Sequence, residues 1–256
     1  PFAAGCGHCD VCRTGNEQVC PNQFQPGFTA WGSFAEYVAL RYADRNLVRV
    51  PDQISSAAAA LLGCRFATAY RGVVSQGRVR SGEWVAVHGC GGVGLAAIMI
   101  ARACGAQVVA IDPDRAARAI ARSLGAKAVI DGGEAVDAAH AIRETTGGGP
   151  HLSIEAVGDP AALATSVESL RPRGRHVQIG LLPANHTAVP MSAVIGRELQ
   201  ILGSHGMQAH RYPDLLEMIL DGRLKPEVLI TRAIPLSDIP EALPGMGEAP
   251  APGVTV

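Results

Sequence analysis

The sequence predicts an α/β fold: a doubly wound parallel sheet joined to a smaller, irregular part that is organised by metal. Three observations predict it. Strand-like and helix-like runs alternate from Trp84 onward, the glycine motif Gly89-Cys90-Gly91-Gly92-Val93-Gly94 stands between one such strand and helix, and four cysteines crowd the first twenty residues. A chain of 256 residues that is 48% hydrophobic has ample material for a core. Its 22 basic and 23 acidic residues leave a net charge of -1, which excludes a sequence-independent electrostatic grip on nucleic acid or anionic lipid. The longest apolar stretch, Val93 to Ala103, is interrupted by Gly94 and Arg102 and falls short of the ~20 residues of a bilayer span. No nucleic-acid or membrane partner is therefore expected.

Residues 1 to 30 are rich in Cys, Gly, Pro and Asn and show no apolar period, so a hydrophobic core cannot order them. Gly32 to Val50 alternates apolar and polar residues in short runs and predicts short antiparallel strands, with Pro51-Asp52 as a turn. Ser55 or Ser56 is placed to cap an Ala-rich helix to about Leu62, and a second helical stretch runs from Ala67 to about Ser75. Strands follow at 84–88, 107–111, 128–130, 152–156, 176–179 and 199–203, with helices at 92–104, 114–124, 135–145, 160–170 and 211–221. Such alternation with short glycine-rich connections is the signature of right-handed βαβ units. The tail after Gly222 is Pro-rich (Pro226, Pro235, Pro240, Pro244, Pro250, Pro252), carries one short amphipathic stretch at 238–243, and is expected to return to the first domain. The domain division is thus 1–64, 65–222 and 223–256.

The glycine motif has the context that dinucleotide binding needs. Gly89 suits the tight turn, Gly91 lets backbone approach a pyrophosphate with Gly92 and Val93 opening the helix, and Gly94 lets the helix pack on the strand. Asp112 ends the second strand some twenty residues on, where a carboxylate accepts the adenosine ribose hydroxyls and repels a 2'-phosphate. NAD is favoured over NADP. Arg115 and Arg118 are close enough to serve a 2'-phosphate, but a helix position reads equally as a solvated face.

In Cys6-x2-Cys9-x2-Cys12-x7-Cys20, four thiolates on irregular backbone can wrap one tetrahedral Zn2+ with no position left for substrate, which makes the site structural. An iron-sulfur centre is the alternative, since Cys-x2-Cys-x2-Cys occurs in bacterial ferredoxins, although their last gap is three residues and not seven. Disulfides among Cys6, Cys9 and Cys12 are too tightly spaced to form comfortably. Cys64, in Gly63-Cys64-Arg65-Phe66-Ala67-Thr68, reads by composition as a small buried hydrophobe or as a ligand, and Cys90 and Cys104 read as packing.

Taken in this order, the cysteine loop beginning Gly5-Cys6-Gly7-His8-Cys9, the Gly63-Cys64 segment with Thr68 and the glycine turn resemble the zinc-dependent medium-chain alcohol dehydrogenases over essentially the whole chain. The resemblance implies part of a GroES-like β catalytic domain bearing a structural zinc lobe, beside a Rossmann sheet. It implies that Cys64 binds a catalytic zinc, that Thr68 and Val93 lie against the nicotinamide, and that backbone around Ile179, Gly180 and Leu202 holds the carboxamide. It further implies a small alcohol or aldehyde substrate, NAD, a cytoplasmic setting and a homodimer or homotetramer.

The chain departs from the family pattern in one respect. The family's first catalytic cysteine, its zinc-ligating histidine and the hydroxyl that starts its proton relay all precede the lobe, so Cys64 is expected to be a lone ligand, and Phe34, Tyr37 and Val38 to be exposed. None of His8, His88, His140, His151, His176, His186, His205 or His210 matches the family's histidine, and His205 is the one expected nearest the cofactor cleft. Other readings are a zinc-free quinone-reductase-like enzyme, a non-catalytic nucleotide-binding module, a methyltransferase, and a zinc knuckle that binds RNA. The last is disfavoured, because Arg13 is the lobe's lone cation.

Overall fold

The computed structural model describes residues 1–133, 135–184, 187–245 and 253–256; His186, Pro250 and Pro252 lie outside the described residues. The chain forms two compact units, Pro1–Ala67 with His205–Val256, and Thr68–Ser204.

The unit Thr68–Ser204 contains a six-stranded parallel sheet in the order β3-β2-β1-β4-β5-β6. Its strands are β1 Trp84–His88, β2 Gln107–Asp112, β3 Ala128–Asp131, β4 Leu152–Glu155, β5 Arg175–Gln178 and β6 Gln200–Gly203. They match the expected six to within a residue or two at each end. Val, Ile and Ala fill the central strands because both faces are covered, and Val85, Ala86, Val109, Ala110, Leu152 and Ile154 are all fully buried. The strand order reverses between β1 and β4, which opens a crevice beyond their carboxyl ends.

Helices cover both faces, and their starts are chemically marked. Asp114 caps Arg115–Ser123 by accepting from the amides of Ala116 (2.9 Å) and Ala117 (3.4 Å). Asp159 does the same for Pro160–Ser169, with proline in the first turn where no amide partner is needed. Ala86, Val109, Ile111 and Ile142 form one core cluster, and Leu163, Val167, Leu170 and Leu199 another. The helix Met191–Gly196 was not expected from the sequence; at six residues it is too short to show a period. Among the described residues, no helix is long and apolar enough to cross a membrane.

Three expectations are corrected. Gly32 to Val50 forms no strand; the segment is irregular apart from the short helix Ala43–Asn46. Alternating polarity describes side chains, whereas a strand also needs a ladder partner, and none of the described residues supplies one. Phe34 (61%), Tyr37 (90%) and Leu47 (63%) consequently remain exposed.

The helical stretch expected from Ala67 is continuous with the one before it: the helix runs unbroken from Ser56 to Gln76, with wider π-type turns at Leu62–Phe66 and Arg71–Gln76. The Leu62 carbonyl accepts from Tyr212 Oη at 3.0 Å, a tie outside the helix ladder. Finally, the helix Tyr212–Leu220 groups with the first unit and not with the sheet. Tyr212, Leu215 and Leu216 are buried there, and Tyr212 spends its hydroxyl on Leu62.

The sheet buries two uncharged imidazoles. Burial, and secondarily His176, pushes His88 down to about 3, and burial pushes His176 down to about 4. Both folded values lie below the ordinary ~6.5 of an unfolded histidine, so the unfolded chain binds more protons in between. Stability is complete above that value and falls as pH drops, by about 2 kcal/mol per histidine at pH ~5. Thermal melting at neutral and acidic pH should show this loss. His88→Phe should recover about half of it, and should not destabilise at neutral pH because His88 Nε2 has no hydrogen-bond partner to lose.

Candidate cofactor crevice and metal lobe

The metal lobe is built on turns. Cys9 immediately precedes the short helix Asp10–Arg13, the turn Glu17–Val19 delivers Cys20, and Gly7 takes a left-handed conformation (φ 80°) between Cys6 and Cys9. The four sulfur atoms all lie within 4.8 Å of one another. Separations are 3.6 Å for Cys6–Cys20, 3.7 Å for Cys9–Cys20 and 4.0 Å for Cys6–Cys12. Four thiolates at ~2.3 Å from a tetrahedral Zn2+ stand about 3.8 Å apart, so the donor set fits zinc. All four cysteines are free of disulfides.

Backbone amides of Cys6 (3.4 Å) and Asn22 (3.3 Å) point at Cys20 Sγ. The amide of His8 draws the Cys6 thiol down to about 6, while burial pushes Cys12 up to about 12. A cation among them is the group that makes four thiolates stable together. One residue of the lobe's frame was missed: Asn46 accepts from Gly5 N (3.0 Å) and donates to Gly5 O (2.9 Å) and Tyr42 O (2.8 Å). Nothing in the sequence around Asn46 distinguishes it from a turn residue.

In the other unit the three glycines separate into three roles. Gly89 turns at φ 89°, and its amide donates to Ile111 O at 2.8 Å. A Cβ at Gly94 would sit 1.8 Å from Gly89 O, so only glycine lets the helix close on the turn. A Cβ at Gly91 would meet nothing within 4 Å. That open space lies above exposed backbone at the start of the helix Gly92–Ala103, a geometry suited to an anion. Val93 follows, half-buried, in the first turn.

Asp112 faces this turn, where its Oδ2 accepts from Cys90 N at 2.6 Å and its Oδ1 from Asp114 N at 2.8 Å. Burial, and then the charge of Asp112, pushes the Cys90 thiol up to about 12, which makes it inert packing. Arg118 is already committed. It pairs with Asp131 at 2.9 Å and donates to the carbonyls of Asp112 (2.6 Å) and Pro113 (2.8 Å), while Arg115 is exposed. A cavity of about 160 Å³ lies at the carboxyl ends of the strands, lined by Gly89, Asp112, Gly132, Val157 and Asp159 among others.

Thr68 is 7% exposed, and its Oγ1 has no hydrogen-bond partner, an orphaned donor in the unit that carries the crevice. Ile179 and Gly180 leave β5 with both amides donating to Glu155 O, at 2.9 and 3.0 Å. Leu202 is half-buried in β6.

In the first unit Cys64 is exposed, and it belongs to no group of three or more metal-capable side chains among the described residues. The donors described around it do not fit a catalytic zinc. His205 stacks edge-on against Phe2 at 5.2 Å within its own unit.

Comparison with known proteins bears on both regions. Residues 92–221 match the family model described as zinc-binding dehydrogenase, and residues 1–52 the model described as alcohol dehydrogenase GroES-like domain. An alcohol dehydrogenase of Geobacillus stearothermophilus is 33% identical over 92% of this chain and 67% of its own length. One of Rhizobium meliloti is 34% identical over 86% of this chain and 63% of its own. The chain thus spans about two thirds of the length of these curated relatives. Among solved structures, alcohol dehydrogenase TADH from Thermus sp. ATN1 superposes with a TM-score of 0.89 at 32% identity, covering 98% of this chain and 74% of that one. A structure described as an NAD-dependent alcohol dehydrogenase gives 0.88 at 29% identity, covering 99% and 73%.

Proposed function

The chain belongs to the zinc-dependent medium-chain alcohol dehydrogenase family, and from that premise we propose that it serves hydride transfer between a small alcohol, or its aldehyde or ketone, and NAD. The observation that carries the reading is the glycine turn with the Asp112 carboxylate held against it at 2.6 Å.

In this reading the backbone at Gly91 and Gly92, with the amino end of the following helix, receives the pyrophosphate. Asp112 exchanges part of its hold on the turn for the adenosine ribose hydroxyls. Thr68 and Val93 border the nicotinamide ring, and the orphaned Thr68 hydroxyl gains a partner there. Backbone at Ile179, Gly180 and Leu202 orients the carboxamide. Bound NAD supplies the hydride acceptor; the protein supplies alignment and exclusion of water.

Cys6, Cys9, Cys12 and Cys20 hold a structural zinc that takes no part in the chemistry. Cys64 stands outside that set, and one thiolate does not hold a catalytic metal. The expected setting is cytoplasmic, a reducing compartment in which a four-thiolate zinc site persists. The expected assembly is a homodimer or homotetramer, supported by the outer strand β6 and the neighbouring helix, where Ile201 (40%) and Ile195 (74%) are exposed.

Asp112→Ser tests the cofactor assignment. With Arg118 committed to Asp131, the unaltered chain should bind NAD well ahead of NADP. Removing the carboxylate should shift the ratio of dissociation constants toward NADP by the equivalent of about 1 to 3 kcal/mol. Equal affinity for the two dinucleotides in the unaltered chain would overturn the assignment.

A further inference from the structure

The face of the sheet beneath the helix Pro160–Ser169 carries an unusual polar layer. Cross-strand register puts His88 beside Glu155, Glu155 beside Gln178, and Ser153 beside His176. Glu155 is fully buried, and no lysine or arginine among the described residues pairs with it. A carboxylate in such a place is costly unless donors surround it.

Donors do surround it. Oε1 accepts from the amides of Val157 (2.7 Å) and Gly158 (2.8 Å), and Oε2 accepts from Gly158 N (3.1 Å) and from the side-chain amide of Gln178. That same Gln178 Nε2 donates to Gly180 O at 2.8 Å. Gln178 Oε1 then faces His176 Nε2 at 3.1 Å, and His176 Nδ1 faces Ser166 Oγ at 2.9 Å. The network assigns one direction. The Ser166 hydroxyl donates to Nδ1, the Nε2–H of the neutral imidazole donates to Gln178, and Gln178 donates to Glu155.

The effect is to tie together the two loops at the carboxyl ends of β4 and β5. A Cβ at Gly180 would lie 2.1 Å from Gly158 N, and one at Gly158 would lie 2.4 Å from Leu181 O, so the loops touch backbone to backbone. In a doubly wound sheet whose glycine turn and Asp112 occupy the β1–β2 side, the second half of a dinucleotide crosses the switch point to the β4–β6 side.

We infer that Glu155, acting through Gln178 and the amides of Val157 and Gly158, is a positioning residue that holds the 157–158 and 179–180 loops in the register that receives the nicotinamide half of the cofactor. The inference rests on the proposed cofactor reading and adds a division of labour to it. The adenosine half is held by the glycine turn and Asp112, and the nicotinamide half by loops that Glu155 aligns.

The test compares NAD with ADP-ribose, which lacks the nicotinamide, by calorimetric titration of the chain and of two variants. Glu155→Gln keeps an acceptor for the loop amides but sets amide against amide at Gln178. Gln178→Met removes the link to Gly180 at similar volume and leaves Glu155 with its backbone donors, so it covers the case in which Glu155→Gln does not fold.

Each variant that folds is expected to bind NAD about tenfold or more weakly, the scale of one or two charge-assisted hydrogen bonds, with ADP-ribose affinity within about twofold. A parallel fall in both affinities would mean a general structural role and would overturn the inference, as would unchanged NAD binding. If the unaltered chain binds ADP-ribose and NAD equally, the nicotinamide half gains nothing from these loops and the inference falls alone. If it binds neither, the cofactor reading itself falls.

Discussion

Gly91→Val should leave the protein folded and remove dinucleotide binding, whereas Gly94→Ala, a smaller change three residues on, should strongly destabilise the unit Thr68–Ser204. Gly91 has an extended backbone (φ -74°, ψ -172°) that valine adopts readily, and a side chain there meets no protein atom within 4 Å. It would instead occupy the space above the turn, where several backbone donors await a pyrophosphate. Losing them should weaken NAD binding about a hundredfold or more, with little change in melting temperature.

At Gly94 the added carbon would meet the carbonyl oxygen of Gly89 at 1.8 Å, and backbone cannot swing aside as a flexible side chain does. Either the helix Gly92–Ala103 lifts off β1 or the turn opens, at an expected cost of about 3 kcal/mol or more. Melting curves and NAD titrations on the two variants check the pair. A Gly91→Val protein that binds NAD normally would show that the turn is not a phosphate site.

Cys9→Ser is the second large effect. Three thiolates and a hydroxyl are a poor tetrahedral zinc site, and residues 1 to 30 have scarcely any apolar core to fall back on, since Cys6, Cys12 and Cys20 are themselves much of what is buried there. Structural zinc in small lobes contributes on the order of 10 kcal/mol of apparent folding free energy, so losing it should release the lobe to proteolysis. The unit Thr68–Ser204 has its own core clusters and should keep its NAD affinity. Metal analysis should find zinc in the unaltered protein and little in the variant. Absorbance near ~400 nm with acid-labile sulfide would instead identify an iron-sulfur centre.

The parts of the fold that could be read in advance are those where local chemistry and tertiary environment agree. The strands β1 and β2 are short Val, Ile and Ala runs buried on both faces, Asp114 and Asp159 mark helix starts that the sheet also requires, and each glycine of the turn has a separate steric reason. The misreadings arise where they diverge. Between Gly32 and Val50 the alternation is real but lacks a partner strand, so the polarity pattern persists without the ladder.

The network of Glu155, His176 and Gln178 is not legible in the sequence for the opposite reason. Leu152-Ser153-Ile154-Glu155 and Arg175-His176-Val177-Gln178 alternate as though one face met water, yet Thr165, Ser166 and Ser169 of the covering helix make that face a polar interior. Asn46 and the unit boundary at Ser204 depend on contacts between segments far apart in the chain, which no local window contains.

One chain should hold one metal in the four-cysteine lobe and one dinucleotide at the glycine turn, each independently of the other. Native mass spectrometry of the purified chain, before and during addition of NAD, reads both stoichiometries at once. The expected species is heavier than the bare polypeptide by a single zinc, is converted by NAD into one with one zinc and one NAD, and is far less converted by NADP at the same concentration. A metal-free chain, a mass increment matching iron and sulfide, or a zinc-loaded chain that NAD leaves unchanged would contradict it.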